Sequence, residues 1–158
     1  HYNHVLRDPR VANGRIMATS FNRKQLVDAR TLESLSGALP DTPHDGLIAK
    51  DAVWVTTVTG KVYRAPLKLP FTFERVLDLF AQAPKKGWCR GLFISENTIY
   101  IGITSIYEKS NRTAWLDCPL NETASGIYCV DLTTLTITDF HDFTTSEGSR
   151  IFTIVGDR

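Results

Sequence analysis

The feature that most limits the possible folds is a short strand pattern that recurs four times and opens each time on a histidine or an arginine. The openings fall at His4, His44, Arg90 and Arg150, so they lie 40, 46 and 60 residues apart. A repeat of roughly 40 to 45 residues built from short strands is typical of the blades of a β-propeller. The last interval is longer because a polar insertion, at about residues 105–125, interrupts that repeat.

The second repeat contains the four strands that a blade requires. Residues 44–49 lead into the apolar run 52–57, and Thr59-Gly60 then supplies a turn pair. Residues 61–65 alternate polar and apolar side chains, as a half-buried strand does. Residues 73–80 provide a fourth segment. In the third repeat, two β-rich apolar runs flank Glu96-Asn97, which predicts a hairpin with a tight turn at that pair.

Two segments fit more than one structure. Residues 73–83 carry apolar side chains at a spacing that suits an amphipathic helix as well as an outer strand, and both alternatives stay open. Residues 26–39 are similarly ambiguous, although the polar stretch 28–31 between two short apolar runs favours a hairpin turn there.

Together these patterns predict an all-β fold, a β-propeller segment of about three four-stranded blades plus the start of a fourth. The whole chain, residues 1–158, forms one domain with blade-like repeats at about 4–43, 44–89, 90–149 and 150–158. The predicted core residues are Leu47, Trp54, Val55, Leu92, Phe93, Tyr100, Ile127 and Val130.

The ring is incomplete within this chain, because propellers usually have four to eight blades. A blade is a sheet whose faces must be covered by its neighbours, so open end blades expose apolar surface. We therefore expect a partner that closes the ring, either the remainder of the same polypeptide or a second copy of the chain. The chain begins at His1 without a methionine or a signal peptide, which indicates a processed form or a piece of a longer protein.

Charge and composition exclude some partners. The formal net charge is +1 and the charges are interspersed, whereas nucleic-acid binding draws on clustered positive charge. No apolar run is long enough to span a membrane. The three cysteines, Cys89, Cys118 and Cys129, are an odd number at spacings that match no zinc motif, which favours free thiols. With the missing signal peptide, this count favours a cytoplasmic protein.

The residues that could form a functional site stand at the starts of the first strand of each repeat. In a propeller these strands line the central channel, so their side chains are expected to converge at one end of it, here called the channel mouth. The predicted ligand-binding residues are His1, Asn3, His4, His44, Asp45, Arg90 and Arg150. Imidazole, carboxylate and guanidinium groups in one funnel can bind a metal or an anion. The alternative is that they only hold buried water and satisfy backbone groups at the strand starts.

Catalytic residues cannot be assigned from the sequence. His4 and His44 are the residues suited to binding a divalent metal, although their spacing is no dedicated metal motif. Cys89 could be an activated thiolate because Arg90 follows it, but the sequence offers no partner base. We find no nucleophile-elbow pattern and no phosphate-binding glycine loop.

Five short blocks of sequence occur in an order that resembles a known arrangement. They are His1-Tyr2-Asn3, Thr42-Pro43-His44-Asp45-Gly46, Gly87-Trp88-Cys89-Arg90-Gly91-Leu92, Tyr100-Ile101-Gly102-Ile103 and Gly126-Ile127-Tyr128-Cys129-Val130-Asp131-Leu132. This order resembles the later half of an uncharacterised bacterial β-propeller family, whose members have His-x-Asn, Pro-His, Gly-Phe-x-Arg-Gly-Leu and Val-Gly-Leu-Ser blocks. Asp45-Gly46 stands where that family more often has Ser-Pro. The resemblance implies a propeller whose earlier half supplies the missing blades, and it implies no particular activity.

Two functions are consistent with these residues. The first is a non-enzymatic propeller that binds a small polar or anionic ligand, such as a saccharide, at the channel mouth. The alternative is a metal-assisted hydrolase or lyase in which the His and Asp side chains of the same mouth bind a divalent cation and activate water.

Overall fold

The computed structural model describes residues 2–145 and 150–155, which form three antiparallel sheets of three, four and four strands. Within each sheet, the strands pair in chain order. The strands are β1 (Tyr2–Leu6), β2 (Met17–Ser20), β3 (Gln25–Asp28), β4 (Pro43–Ala49), β5 (Ala52–Thr57), β6 (Lys61–Pro66), β7 (Glu74–Asp78), β8 (Trp88–Ser95), β9 (Thr98–Thr104), β10 (Gly126–Asp131) and β11 (Ile137–Asp142). The predicted all-β class with blade-like sheets is confirmed, and the described residues do not close a ring.

We call the sheet β1–β3 blade 1, the sheet β4–β7 blade 2 and the sheet β8–β11 blade 3. The first strand of each blade is the innermost, because β4 contacts β1 on one side and β8 on the other. The three blades are therefore arranged side by side, with β1, β4 and β8 as neighbours on the inner side.

The core lies between the blades because successive side chains of a strand point to opposite faces of its sheet. In β5, Val53 and Val55 pack with blade 1, whereas Ala52 and Trp54 pack with blade 3. Blade 2 is thus apolar on both faces, which explains why all six residues of β5 are buried. A central strand of this kind cannot show simple alternation of apolar and polar residues.

Blade 1 has three regular strands where four were expected. The predicted hairpin turn after Asp28 is present, and its returning segment forms an isolated bridge between Val27 and Ser34 and a bond from the Leu35 N–H to the Leu26 carbonyl. The hydroxyl of Ser36 accepts the Leu26 N–H at 3.0 Å. Side-chain bonding of this kind competes with a backbone ladder, so the segment does not continue as a strand.

The two alternatives for residues 73–83 are both realised, one after the other. Residues Glu74–Asp78 form β7, and a single helical turn, α1 (Leu79–Gln82), follows directly. Leu79 is fully buried against the core between blades 2 and 3, which fixes the turn in place.

The prediction of the core was wrong for one face of blade 3. Trp54, Val55, Leu92 and Val130 are buried, but Leu47, Phe93, Tyr100 and Ile127 are only partly buried. The last three share the face of blade 3 that points away from blade 2, as the strand pairing shows. They are half-exposed because none of the described sheets packs on that face.

The C-terminal segment 150–155 lies beside the inner strands of blade 3. The Ile151 N–H donates to the Thr104 hydroxyl at 3.2 Å, and this hydroxyl donates to the Ile151 carbonyl at 3.1 Å. Gly102 has no room for a side chain, since a Cβ there would lie 2.8 Å from the Ile151 side chain. The predicted fourth repeat therefore starts against blade 3, but residues 150–155 contain no regular strand.

Among the described residues, no helix has the length and apolar character needed to cross a membrane.

Candidate functional site

Each innermost strand has a β-bulge at the same place. The register shifts at Asn3–His4 in β1, at His44–Asp45 in β4 and at Arg90–Gly91 in β8. In each case, two residues of the inner strand lie opposite one residue of the next strand. A bulge redirects side chains and occurs often beside functional sites. The structure therefore gives a physical reason for the recurrence of polar residues at these positions.

The bulges also correct the alignment of the repeats. His44 and Arg90 are each the first residue of their bulge, and Asn3 is the first residue in blade 1. His4 is the second residue, so its equivalent in blade 2 is Asp45. The sequence alignment, which matched His4 with His44, is shifted by one residue in blade 1.

Thr19 and Thr56 lie opposite the bulges of blades 1 and 2. The Thr19 hydroxyl accepts the His4 N–H at 3.1 Å and donates to the His44 carbonyl at 2.8 Å, so it links two neighbouring blades. The equivalent Thr56 hydroxyl is buried and has no hydrogen-bond partner among the described residues.

Asp45 connects all three inner strands. Its side chain is only 4% exposed. One carboxylate oxygen lies 2.7 Å from His44 Nδ1 and 3.8 Å from His4 Nδ1, and the other accepts the Gly91 N–H at 2.6 Å. The carboxylate favours the His44 tautomer with the proton on Nδ1, so His44 Nε2 takes no part in this contact.

Arg90 is a buried guanidinium with an unsatisfied donor. The residue is 4% exposed, and its Nε–H has no acceptor among the described residues. Burial lowers the pKa of Arg90 below its ordinary value, the charge of Arg112 lowers it further, and Asp45 opposes this effect. The guanidinium carbon lies 5.0 Å from the ring centre of Phe152.

Trp88 extends this cluster of buried donors. Its Nε1–H is buried and has no acceptor among the described residues. The Trp88 ring lies 6.3 Å from the His44 ring in an edge-on arrangement. Arg112 places its guanidinium carbon 5.1 Å from the centre of the same indole.

Arg112 belongs to the insertion between β9 and β10. It lies in a short 3₁₀ helix, Asn111–Trp115, and the Ser110 hydroxyl accepts the Arg112 N–H at 3.2 Å. Trp115 at the end of this helix packs edge-on against Trp88 with ring centres 6.2 Å apart. The insertion is therefore fixed over the start of β8 by aromatic contacts.

Asn3 and Arg150 are not among the contacts of the Asp45 carboxylate. Asn3 donates from Nδ2 to the Pro43 carbonyl at 3.2 Å, which ties β1 to β4. Arg150 is exposed and lies 5.8 Å from the ring centre of Tyr107. His1 lies outside the described residues. The structure thus brings His4, His44 and the β8 bulge at Arg90–Gly91 together around the Asp45 carboxylate.

Arg112 and Trp88 were missed as site residues by the sequence reasoning. Arg112 lies in a polar insertion, where no periodicity indicates what a side chain contacts. Trp88 does precede the bulge motif by two residues, but an aromatic residue at a strand start is usually part of the core.

The unsatisfied groups here are N–H donors of Arg90 and Trp88, which suit an anion better than a cation. In the part of the chain that the structure describes, no group of three or more His, Cys, Asp and Glu side chains is placed to hold a metal ion. A metal bound by His4 and His44 stays a prediction. Cys89 is fully buried and burial raises the pKa of its thiol, so the interpretation as an activated thiolate is wrong.

A cavity of about 320 Å³ lies elsewhere, between blade 2 and the insertion. Lys61, Asp78 and Phe80 line one side, and Lys86 and Trp115 are among the residues of the other side. None of the residues predicted from the sequence lines this cavity.

Comparison with known proteins supports the propeller class and no particular family. No protein-family model and no curated protein matches the chain. The aldose sugar dehydrogenase of Streptomyces coelicolor, solved in its PQQ-bound form, is a β-propeller protein that matches 70% of this chain. The TM-score is 0.51 at 12% identity. This chain is therefore built from blade-like sheets of the β-propeller type.

Two further solved structures match. The computationally designed Ika4 protein gives a TM-score of 0.55 at 10% identity, with 89% of this chain and 72% of that chain covered. BamB from Moraxella catarrhalis gives 0.46 at 15% identity, covering 89% of this chain and 36% of that chain. The chain spans only 39% of the length of the sugar dehydrogenase.

Proposed function

We propose that the protein is a non-enzymatic β-propeller that binds a small anionic ligand at the channel mouth. The observation that carries this proposal is the buried Arg90, whose Nε–H has no acceptor among the described residues. A buried donor without an acceptor is costly, and a bound anion would remove that cost. Arg90 stands on the bulge of an innermost strand, and a bulge redirects side chains.

Asp45 does not satisfy the Arg90 Nε–H, because no hydrogen bond joins that donor to the carboxylate. Its two oxygens contact His44 Nδ1 and the Gly91 N–H. We therefore assign Asp45 the role of holding the inner strands together and orienting His44. In this proposal Arg90 supplies the principal charge, and His4, His44 and Arg150 line the same mouth.

The proposal assigns binding and no reaction. Asp45 is bonded on both oxygens, and the Cys89 thiol is buried with a raised pKa. Neither group is prepared to act as a general base or a nucleophile.

The test is calorimetric titration with three probes: glucuronate, inorganic phosphate and uncharged glucose. We expect at least one anion to bind with about millimolar affinity or better, and glucose to bind more weakly. Arg90→Met should abolish anion binding, with circular dichroism confirming the fold. The matched control is Arg64→Met, because Arg64 also lies over an aromatic ring, 5.4 Å from the centre of Trp54, but on β6. Binding of neither anion, or undiminished binding by a folded Arg90→Met variant, would refute the proposal.

We also propose that further blades complete the ring. Phe93, Tyr100 and Ile127 on the outer face of blade 3 are only partly buried, and Phe152 and Val155 beside them are 66% and 82% exposed. Exposed apolar surface of this kind favours association. The remainder of the same polypeptide or a second copy would cover it. Light scattering should show self-association of the isolated chain, and a monodisperse monomer would contradict ring completion by a second copy.

A further inference from the structure

Three arginines from different parts of the chain surround the proposed site. Arg90 comes from β8, Arg112 from the insertion and Arg150 from the C-terminal segment. Each guanidinium lies against an aromatic ring, at 5.0 Å, 5.1 Å and 5.8 Å from the ring centre. The ion pairs among the described residues involve other basic side chains.

Contacts along the inner strands of blade 3 link the three arginines. Arg112 lies over Trp88, which pairs with Thr104, and the Thr104 hydroxyl bonds to Ile151, the neighbour of Arg150. Arg90 lies against Phe152 of the same C-terminal segment. The charges of Arg112 and Arg150 both lower the pKa of Arg90. Stacking on aromatic rings keeps a guanidinium in a fixed plane while its N–H groups stay available at the edge. Like charges held together in this way indicate that a further group of opposite charge belongs between them.

The formal charges indicate what that group is. Arg90 and the charged side chains that act on it, Arg112, Arg150 and Asp45, together carry a formal charge of +2. A carboxylate ligand brings one negative charge and two oxygens. A phosphate group brings up to about two negative charges at neutral pH and three strong acceptor oxygens, one for each arginine fork.

Resting on the proposed function, we infer that the ligand is a tetrahedral dianion of the phosphate class, held jointly by Arg90, Arg112 and Arg150. The buried Trp88 Nε1–H supplies one donor besides the three guanidinium groups, and like the Arg90 Nε–H it has no acceptor among the described residues. Both residues are buried, at 6% and 4% exposure. The insertion thus has a role in binding, because it contributes Arg112.

The experiment is a set of calorimetric titrations with four probes: inorganic phosphate, glycerol phosphate, malonate and glucuronate. We expect the two phosphate probes to bind about tenfold tighter or more than the two carboxylates, because they match both the charge and the three forks. Tighter binding of glycerol phosphate identifies the phosphoryl group of an ester as the ligand, and tighter binding of inorganic phosphate identifies the free ion.

The variant that tests the role of the insertion is Arg112→Gln. Arg112 is partly exposed in a surface 3₁₀ helix, so the substitution leaves the blades intact. We expect phosphate affinity to fall about tenfold, with partial recovery in Arg112→Lys and no change in Arg64→Gln. The same fall is expected for Arg150→Gln, whose side chain is also on the surface.

The outcomes separate the two proposals. If malonate or glucuronate binds as tightly as phosphate, or if Arg112→Gln binds phosphate like the wild type, the inference of a phosphate site is wrong and anion binding by Arg90 stands. If none of the four anions binds, both the inference and the proposed function are wrong.

Discussion

Replacing Asp45 with Asn tests whether one buried carboxylate holds the three inner strands together. The substitution keeps the size of the side chain but turns one oxygen into an NH₂ group. Asp45 now accepts from Gly91 N–H at 2.6 Å and contacts His44 Nδ1 at 2.7 Å. The Asn oxygen can still accept from the Gly91 N–H, but the NH₂ then faces His44 Nδ1, which accepts only if the imidazole proton moves to Nε2. Both contacts also lose the negative charge of the carboxylate.

The expected loss of stability follows from these contacts. A hydrogen bond to a charged acceptor contributes about 1.5–3 kcal/mol, and a buried donor left without an acceptor costs about 1–3 kcal/mol. Since one contact remains in weakened form, we expect a loss of about 2–4 kcal/mol in the free energy of unfolding. For a chain of this size, that corresponds to a fall in Tm of roughly 5–15 °C.

Urea unfolding followed by far-ultraviolet circular dichroism measures the effect. The matched control is Asp51→Asn, because the Asp51 side chain is 86% exposed and contacts only Arg10 at 3.3 Å. We expect a change within about 0.5 kcal/mol for this control. If Asp45→Asn loses no more stability than the control, the carboxylate does not connect the inner strands as described.

Three further predictions concern other parts of the fold. Gly102→Ala should destabilise the protein by about 1–3 kcal/mol, because a Cβ there meets the Arg90 carbonyl oxygen in the β8 bulge. Gly37→Ala, with open space around it, is the control, and equal urea midpoints would refute the argument. Native protein should react with a thiol reagent at Cys118 first and at Cys89 only on unfolding, because Cys89 is buried and burial raises the pKa of its thiol. Mass spectrometry of the labelled sites measures the order of reaction, and early labelling of Cys89 would contradict the prediction. The N–H groups of the following turn lower the pKa of Asp28, so its contribution to stability is present above its ordinary pKa of 3.8 and is lost as the pH falls through the lower folded value. Urea midpoints between about pH 5 and pH 2 should therefore fall more steeply for the wild type than for Asp28→Asn. Parallel curves would show that these bonds do not act on stability.

The repeat could be predicted because blades are local structures. Each blade is made of strands that follow one another in the chain, so their spacing and turn signals are present in a short stretch of sequence. The hairpin turn after Asp28 was predicted for the same reason, since its polar residues bond to the adjacent backbone. The bulges could not be predicted in this way, because a one-residue shift between paired strands leaves no clear mark on either strand alone.

The burial of blade 3 shows the limit of periodicity. Leu92 and Phe93 are adjacent apolar residues, and both were predicted to be core. Leu92 is buried against blade 2, whereas Phe93 points to a face that no described sheet covers. An apolar side chain in the sequence indicates that some surface should cover it, but only the tertiary arrangement shows whether that surface is present.

The sequence by itself determined the class of the protein and the chemical types at the starts of its inner strands, because strand periodicity and the polar residues at strand starts are local features. The tertiary structure alone decided which of those residues have partners. Asp45 is satisfied by an inner strand 46 residues away, and Arg90 stays without an acceptor for its Nε–H while Arg112 approaches from the insertion. These relations depend on contacts between segments that are distant in the chain, and the net charge of a buried site depends on which charged groups those contacts bring together.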